Sequence, residues 1–307
     1  MKNHYASFLG RFAVAAAAGA IVGACTPASP ALQGPEFPLA GPIVDTRTGA
    51  RLARDELLAR AMASRFILLG EAHDNPVHHR LQAEVLEAML RAGRAPALAM
   101  EQFDRGHQAA IDAARAGGER DPERIAEAGR FDRKGWRWLD YKPLVELALE
   151  FDLPLLAANF SREEARRQMQ SGDPAQGVPT AAPPLRAGLE QDIVAGHCGI
   201  RPGAAVLNRM VEAQRARDAR MAEVLAGAGE KGALLIAGAG HARLDRGAPS
   251  YLSSAGREKV LSIGFVEVSP DEALRPSAYA GIYDVVWFTP RAVREDPCAG
   301  LKLPGDK

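Results

Sequence analysis

Four apolar residues, Phe66-Ile67-Leu68-Leu69, run straight into Gly70, and the chain then releases Glu71, His73 and Asp74 in quick succession. A short apolar run stopped by a glycine reads as a buried strand. In an open α/β sheet, the residues leaving the carboxyl end of such a strand stand where ligands bind. Glu71 and His73 are two apart on a backbone that is still extended, so they project to the same side. After Asn75-Pro76 the apolar positions fall at Leu81, Val85, Leu86 and Met89, which is helical spacing with Pro76 in the first turn. Strand, polar loop and helix form the unit from which a parallel sheet is built. Standing alone, the loop has a second and lesser reading, in which Glu71 and His73 are merely the polar residues of a turn.

The pattern recurs. Pro96–Met100 ends in Glu101, Leu153–Ala158 ends in Asn159, and Ala233–Ala237 enters Gly238-Ala-Gly-His241. Two more strands are expected at Lys259–Val268 and Tyr283–Phe288, the second added at a sheet edge, with a small hairpin at Ile43–Gly49. Helices are expected at Arg54–Met62, Leu144–Glu150 and Gly203–Ala226, and residues 104–131 read as a polar helical cap over the sheet edge. The Pro-, Gly- and Ala-rich stretch from about 171 leads into a helical insertion that ends near 202. The expected fold is α/β over residues 43–300: a mostly parallel central sheet, helices on both faces, and a helical cap or insertion.

Several polar strand ends along one sheet edge suggest a built site. Its candidates are Glu71, His73, Glu101 and His241, with Asn159, Arg217 and Asp218 in support. On the helix Gly203–Ala226, Met210, Met221, Val224 and Leu225 share a face that Gln214, Arg217 and Asp218 interrupt. Polar groups on a buried face need partners, and the strand ends are the nearest; a solvated edge of the helix is the alternative. The imidazoles and carboxylates suit a divalent metal such as Zn or Mn. They equally suit metal-free chemistry, with a His or Glu as general base and Arg217 stabilising negative charge. There is no His-Glu-x-x-His pattern and no Gly-x-Ser-x-Gly elbow, and Gly238 and Gly240 lack the companions of a phosphate-binding loop. Trp136, Trp138 and Tyr141 either fill the core or line a pocket.

The amino terminus has Lys2 and Arg11, an apolar run Phe12–Val22, and small residues up to Cys25, the three-part layout of a secretory signal over residues 1–24. Val22-Gly-Ala-Cys25 is similar to a bacterial lipobox, so Cys25 is expected to be lipidated, with residues 25–42 a flexible tether. The apolar run is well short of the about 20 residues that span a bilayer, so attachment would be through lipid. Thr26 in place of Asp points, by resemblance to Gram-negative lipoproteins, to the periplasmic face of the outer membrane. The remaining Cys198 and Cys298 make an even pair, read in an exported chain as a disulfide. With 38 basic and 38 acidic residues the chain lacks the basic excess of a nucleic-acid binder.

Leu69-Gly-Glu-Ala-His-Asp-Asn-Pro-Val-His-His79, Met100-Glu-Gln-Phe-Asp104, Trp138-Leu-Asp-Tyr-Lys-Pro143 and Ala158-Asn159 together resemble the ChaN family of haem-binding lipoproteins. So do Gln214-Arg-Ala-Arg-Asp-Ala-Arg-Met221, Gly238-Ala-Gly-His241 and Tyr283-Asp-Val-Val-Trp-Phe-Thr-Pro290. That family is grouped with Tiki proteases, TraB proteins and erythromycin esterases, whose Gly-Glu-x-His and Gly-x-x-His signatures map onto Gly70–His73 and Gly238–His241, with Glu101 between. The resemblance implies haem held as a stacked pair between two protomers, a tyrosine on the iron, and a histidine near the propionates. The tyrosines on offer are Tyr141, Tyr251, Tyr279 and Tyr283; Tyr141 is the one in a family motif beside the strand ends, and it is either the iron ligand or a core residue. His78 and His79 are expected to be exposed enough to meet a propionate. Two functions follow. One is a haem-binding envelope lipoprotein for haem or iron acquisition, a homodimer around its haem. The other is a hydrolase of the protease or esterase kind, working through Glu71, His73, Glu101 and His241.

Overall fold

Every residue of the strand Phe66–Glu71 is buried, because it runs through the middle of an eight-stranded sheet covered on both faces. The structure, a computed structural model, describes residues 41–171, 177–269, 271–296 and 298–299. The expected signal segment, Cys25 and all but the end of the tether lie outside those residues. In chain order the strands are β1 Ile43–Asp45, β2 Arg51–Leu52, β3 Phe66–Glu71, β4 Ala97–Asp104, β5 Leu155–Asn159, β6 Ala233–Gly238, β7 Val260–Val268 and β8 Val285–Pro290. The helices are α1 Arg54–Ala63, α2 Pro76–Arg91, α3 Gln108–Ala116, α4 Pro122–Ala128, α5 Trp138–Glu150, α6 Arg162–Ser171, α7 Pro183–Gly196, α8 Ala204–Ala226, α9 Ala239–Ala242 and α10 Ser254–Arg257.

Across the sheet the order is β2-β1-β8-β7-β3-β6-β4-β5. From β8 to β5 all pairings are parallel, and only β1 pairs antiparallel, with β2 and with β8. The α/β fold is the one expected, with three local differences. β8 is not an edge strand: the β1–β2 hairpin covers it, which fits a Val-Val-Trp-Phe run apolar on both faces. β4 continues through Glu101 to Asp104, with a register irregularity after Met100. α5 starts at Trp138 rather than Leu144, because Trp138 and Tyr141 are both buried in the core and draw the first turn inward.

β3 alternates its side chains between two cores. Ile67 and Leu69 pack with Leu81, Leu86 and Met89 of α2 and with Tyr141, Leu144 and Ala148 of α5. Phe66 and Leu68 pack on the other face with Met221, Ala222 and Leu225 of α8. At the carboxyl end of β3 the backbones close up: a Cβ on Gly70 would lie 2.8 Å from Ala242 Cβ and 3.0 Å from Ala239 Cα. Gly70 therefore lets α9, which carries His241, sit directly against the strand that delivers Glu71. α2 starts cleanly beside them, since Asn75 accepts the Val77 amide and Pro76 occupies the first turn. Farther off, Cys198 after α7 is bonded to Cys298. No helix among the described residues is long and apolar enough to cross a membrane.

Candidate functional site

Glu71, the last residue of β3, is 2% exposed and accepts from five side chains. Its Oε1 takes the Tyr141 hydroxyl at 2.5 Å, His73 Nδ1 at 2.9 Å and Gln102 Nε2 at 3.2 Å. Its Oε2 takes Gln82 Nε2 at 2.7 Å and His79 Nδ1 at 3.1 Å. Burial on its own drives this carboxyl's pKa up, but the bonds and charges of His73 and His79 outweigh it and hold Glu71 far below the usual carboxylate range. His79 is committed at both nitrogens, with Nε2 donating to the His73 carbonyl at 3.1 Å. Burial lowers the pKa of His79 and the Glu71 bond raises it, with a net rise. For Tyr141, burial and the Glu71 charge both push the pKa up, so the phenol stays protonated and donates.

A second knot lies one strand over. Glu101 on β4 accepts the Gly238 amide at 2.8 Å through Oε2 and lies 3.3 Å from His241 Nε2 through Oε1. His241 Nδ1 donates to Asp218 Oδ1 of α8 at 2.6 Å. Gln214, one turn earlier on α8, rests its amide against the same ring. Burial lowers the pKa of His241, but the two carboxylates outweigh it and push it up to about 10. Burial likewise raises Glu101, and the His241 charge and bond reverse this, leaving it at about 2. Asp218 moves the other way, above its ordinary value, because its burial is not fully offset by His241; its Oδ2 is buried with no partner.

His73 joins the two knots and opens them to solvent. Its ring stands edge-on to Trp136 at 4.8 Å, and it packs so closely on Gly238 that a Cβ there would lie 2.8 Å from Nε2. The His73 side chain is 44% exposed, whereas Glu71, His79, Glu101, Asp218 and His241 are all buried. Burial lowers its pKa and the Glu71 bond raises it, with a net rise.

The structure thus brings Glu71, His73, Glu101, Asp218 and His241 together. It corrects the expectation for His78 and His79, which are buried rather than surface residues, since α2 is enclosed between the sheet and α5. His78 Nδ1 accepts the Ala72 amide and Nε2 meets Thr289 Oγ1, both at 2.8 Å, and burial lowers its pKa to about 4. It is a neutral core ring, unfit to pair with a propionate. Tyr141 is also enclosed, with its oxygen engaged by Glu71, so as placed it has no open face for an iron. The metal reading has no support: among the described residues no group of His, Cys, Asp and Glu is arranged to hold an ion. Asn159, which takes the Phe160 amide at 2.8 Å, and Arg217 are both half-buried, and among the described residues neither bonds to either knot. Gln82 and Gln102, which fix Glu71, were absent from the sequence candidates. Gln82 had the telling signal, a polar residue inside the apolar stripe of Leu81, Val85, Leu86 and Met89.

A family model described as haem-binding uptake, Tiki superfamily, ChaN matches residues 57–252. No curated protein matches the sequence. Among solved structures, ChaN of Campylobacter jejuni with cofacial heme superposes with a TM-score of 0.68 at 24% identity, over 81% of this chain and 96% of that one. The type III effector HopBA1 gives 0.46 at 16% identity, over 78% and 93%, and the erythromycin esterase EreC in its open conformation gives 0.40 at 13%, over 83% and 84%. The first likeness shows the fold. The family match, which runs from α1 past His241, shows the membership: this chain belongs to the ChaN family of haem-binding uptake proteins in the Tiki superfamily.

Proposed function

We propose that the protein binds haem at the opening beside His73, as a lipid-anchored envelope protein serving haem or iron acquisition, and that it dimerises around the haem. The observation that carries this is the family match over residues 57–252, the segment that supplies His73, Trp136 and Leu139. These residues fit a flat apolar ligand with a metal at its centre. His73 offers the exposed imidazole of the cluster, Trp136 presents a ring beside it, and Leu139 at the start of α5 is 77% exposed. Leu139 is thus an apolar side chain left in water on the helix that carries Tyr141, open to contact by the ring. Haem would supply the iron that is carried, and the chain's own residues would seat and orient the ring.

The hydrolase reading asks for a base or metal ligand with a free lone pair. Glu71 accepts five donors and His241 is held at both nitrogens, so neither has one; the family match over residues 57–252 makes the haem reading the preferred one. Haemin titrated into protein lacking residues 1–24, followed by the Soret band and by sedimentation, is expected to saturate near about one haem per protomer and shift the protein to a dimer. Absence of a saturable band would end this reading. Cys25→Ser in the full chain is expected to move the protein from the membrane fraction to the soluble one; unchanged partition would refute the anchor.

A further inference from the structure

At the amino ends of β3 and β7, the edge of the sheet opposite Glu71, a cavity of about 1210 Å3 opens between α6, α8 and the turn into α10. Its long wall is α8, where Ala216, Ala219, Ala222 and Ala226 line it. Spaced by three and four, these positions share one face, and from first to last they cover about 15 Å of helix axis. Side chains that stop at Cβ leave a straight groove along that face. Phe66, Phe160 and Leu252 add to the apolar lining.

The polar part of the lining is unevenly charged. Arg65, Arg167, Arg220 and Lys259 reach it, against the carboxylates of Glu164 and Glu223. Glu223 is taken by Arg220 at 2.9 Å, and Glu164 accepts the Ser161 amide at 2.9 Å where α6 begins. Arg167 turns to Glu163, 2.7 Å away and outside the lining. That leaves Arg65 and Lys259, which are neighbours, since the Arg65 amide donates to the Lys259 carbonyl at 2.9 Å. Arg65 gives one hydrogen to the Gly229 carbonyl at 3.1 Å, rests its guanidinium over the Phe66 ring at 5.1 Å and keeps Nε without an acceptor. Neither Arg65 nor Lys259 has a carboxylate partner among the described residues. Gly229 follows shortly after the end of α8, so the two cations stand at the Ala226 end of the groove.

We propose that this cavity is a second ligand site, for a long-chain fatty acid: the carboxylate meets Arg65 and Lys259, and the chain lies along the α8 alanines. Charged donors bond a carboxylate more strongly than neutral ones do, and each CH2 laid in the groove adds apolar burial. A phospholipid in a bilayer offers the same anionic head and apolar chain. The site lies across the sheet from His73 and does not depend on the haem reading.

The test titrates delipidated protein lacking residues 1–24 with decanoate, dodecanoate, tetradecanoate and palmitate, and with hexadecanol as the uncharged chain, by calorimetry. Binding is expected to saturate near about one chain per protomer and to tighten by about fourfold for each added CH2. Lys259→Met and Arg65→Met are each expected to weaken palmitate by about tenfold and to leave hexadecanol unchanged. Ala219→Trp, which fills the groove, is expected to weaken acid and alcohol alike. Thermal unfolding shows that each variant folds, and Lys259, an exposed residue, keeps the test decisive where the tryptophan is not tolerated. No saturable binding, no gain with chain length, or a Lys259→Met protein that binds palmitate as wild type does overturns the site. Binding to phosphatidylglycerol vesicles that is lost in Lys259→Met, with no binding of free palmitate, overturns it in favour of a membrane surface. Haemin is expected not to displace palmitate; displacement would put the acid at the His73 opening and overturn the second site. Palmitate bound as expected with no haemin bound at all would end the haem reading and leave this site standing.

Discussion

The Tyr141 hydroxyl donates to Glu71 Oε1 across 2.5 Å, although the two residues are 70 positions apart in the chain. This is the shortest of the five contacts on that carboxylate, and it ties α5 to the end of the central strand. Tyr141→Phe is expected to leave a buried carboxylate oxygen short of a donor and to cost about 1–3 kcal/mol, read as a lower urea midpoint. The haemin Soret band is expected to survive the change, because the phenol has no open face. Loss of the band with stability intact would make Tyr141 the iron ligand after all.

Gly238 is a second point of leverage. Its ordinary negative φ means that alanine is barred there only by space, and the added Cβ would lie 2.8 Å from both Nε2 and Cε1 of His73. Gly238→Ala is expected to swing His73 out, break its bond to Glu71 and destabilise the fold by about 1–3 kcal/mol. Histidine NMR checks it: the His73 pKa should fall back toward its ordinary value. An unchanged His73 titration would show that the ring is not seated on Gly238.

The histidines set opposite pH limits. His241 is raised to about 10 in the fold, so its contribution is complete below the unfolded value of about 6.5 and is lost as pH rises through about 10. His78 is lowered to about 4 by burial, so its contribution is complete above about 6.5 and is lost as pH falls toward 4. Glu101, held at about 2, adds a loss that begins below its unfolded value of about 4.5 and runs through 2. Urea midpoints against pH should therefore fall on both sides of neutrality. His78→Gln should flatten the stretch between about 6.5 and 4; an unaltered slope there would place the acid limit elsewhere.

The Cys198–Cys298 bond closes a loop across a separation of 100 residues. In the chain-entropy model such a closure is worth about 5 kcal/mol, and Cys298→Ser should lower the unfolding midpoint accordingly. Peptide mapping without reductant that finds both thiols free would contradict the bond.

The strand ends were legible because apolar runs that stop at a polar residue say both where the strand lies and what its end offers. The interruption of α8 by Gln214 and Asp218 was legible for the same reason, and both residues do reach His241. The identical signal in α2 was passed over. His78, His79 and Gln82 stand among its apolar positions, yet the histidines were read as surface groups, because a sequence does not show that a helix is enclosed by both a sheet and α5. The place of β8 was hidden too. Parallel pairing beside β7 depends on a crossover of the chain, and only the two-sided apolar run Val285–Phe288 hinted that it was not an edge.

The sheet order also fixes when the cluster can come into being. β3 is bonded to β6 and β7, which arrive only in the last third of the chain, and Asp218 and His241 arrive with them. Glu71 therefore spends the early life of the polypeptide in water, as an ordinary carboxylate. Its desolvation belongs to the same late event as closure of the sheet, after long loops have been drawn together. Refolding should accordingly be slow, and slowest where the imidazoles cannot be charged as the carboxylates are sealed: an electrostatic barrier written into the strand order rather than into any one residue.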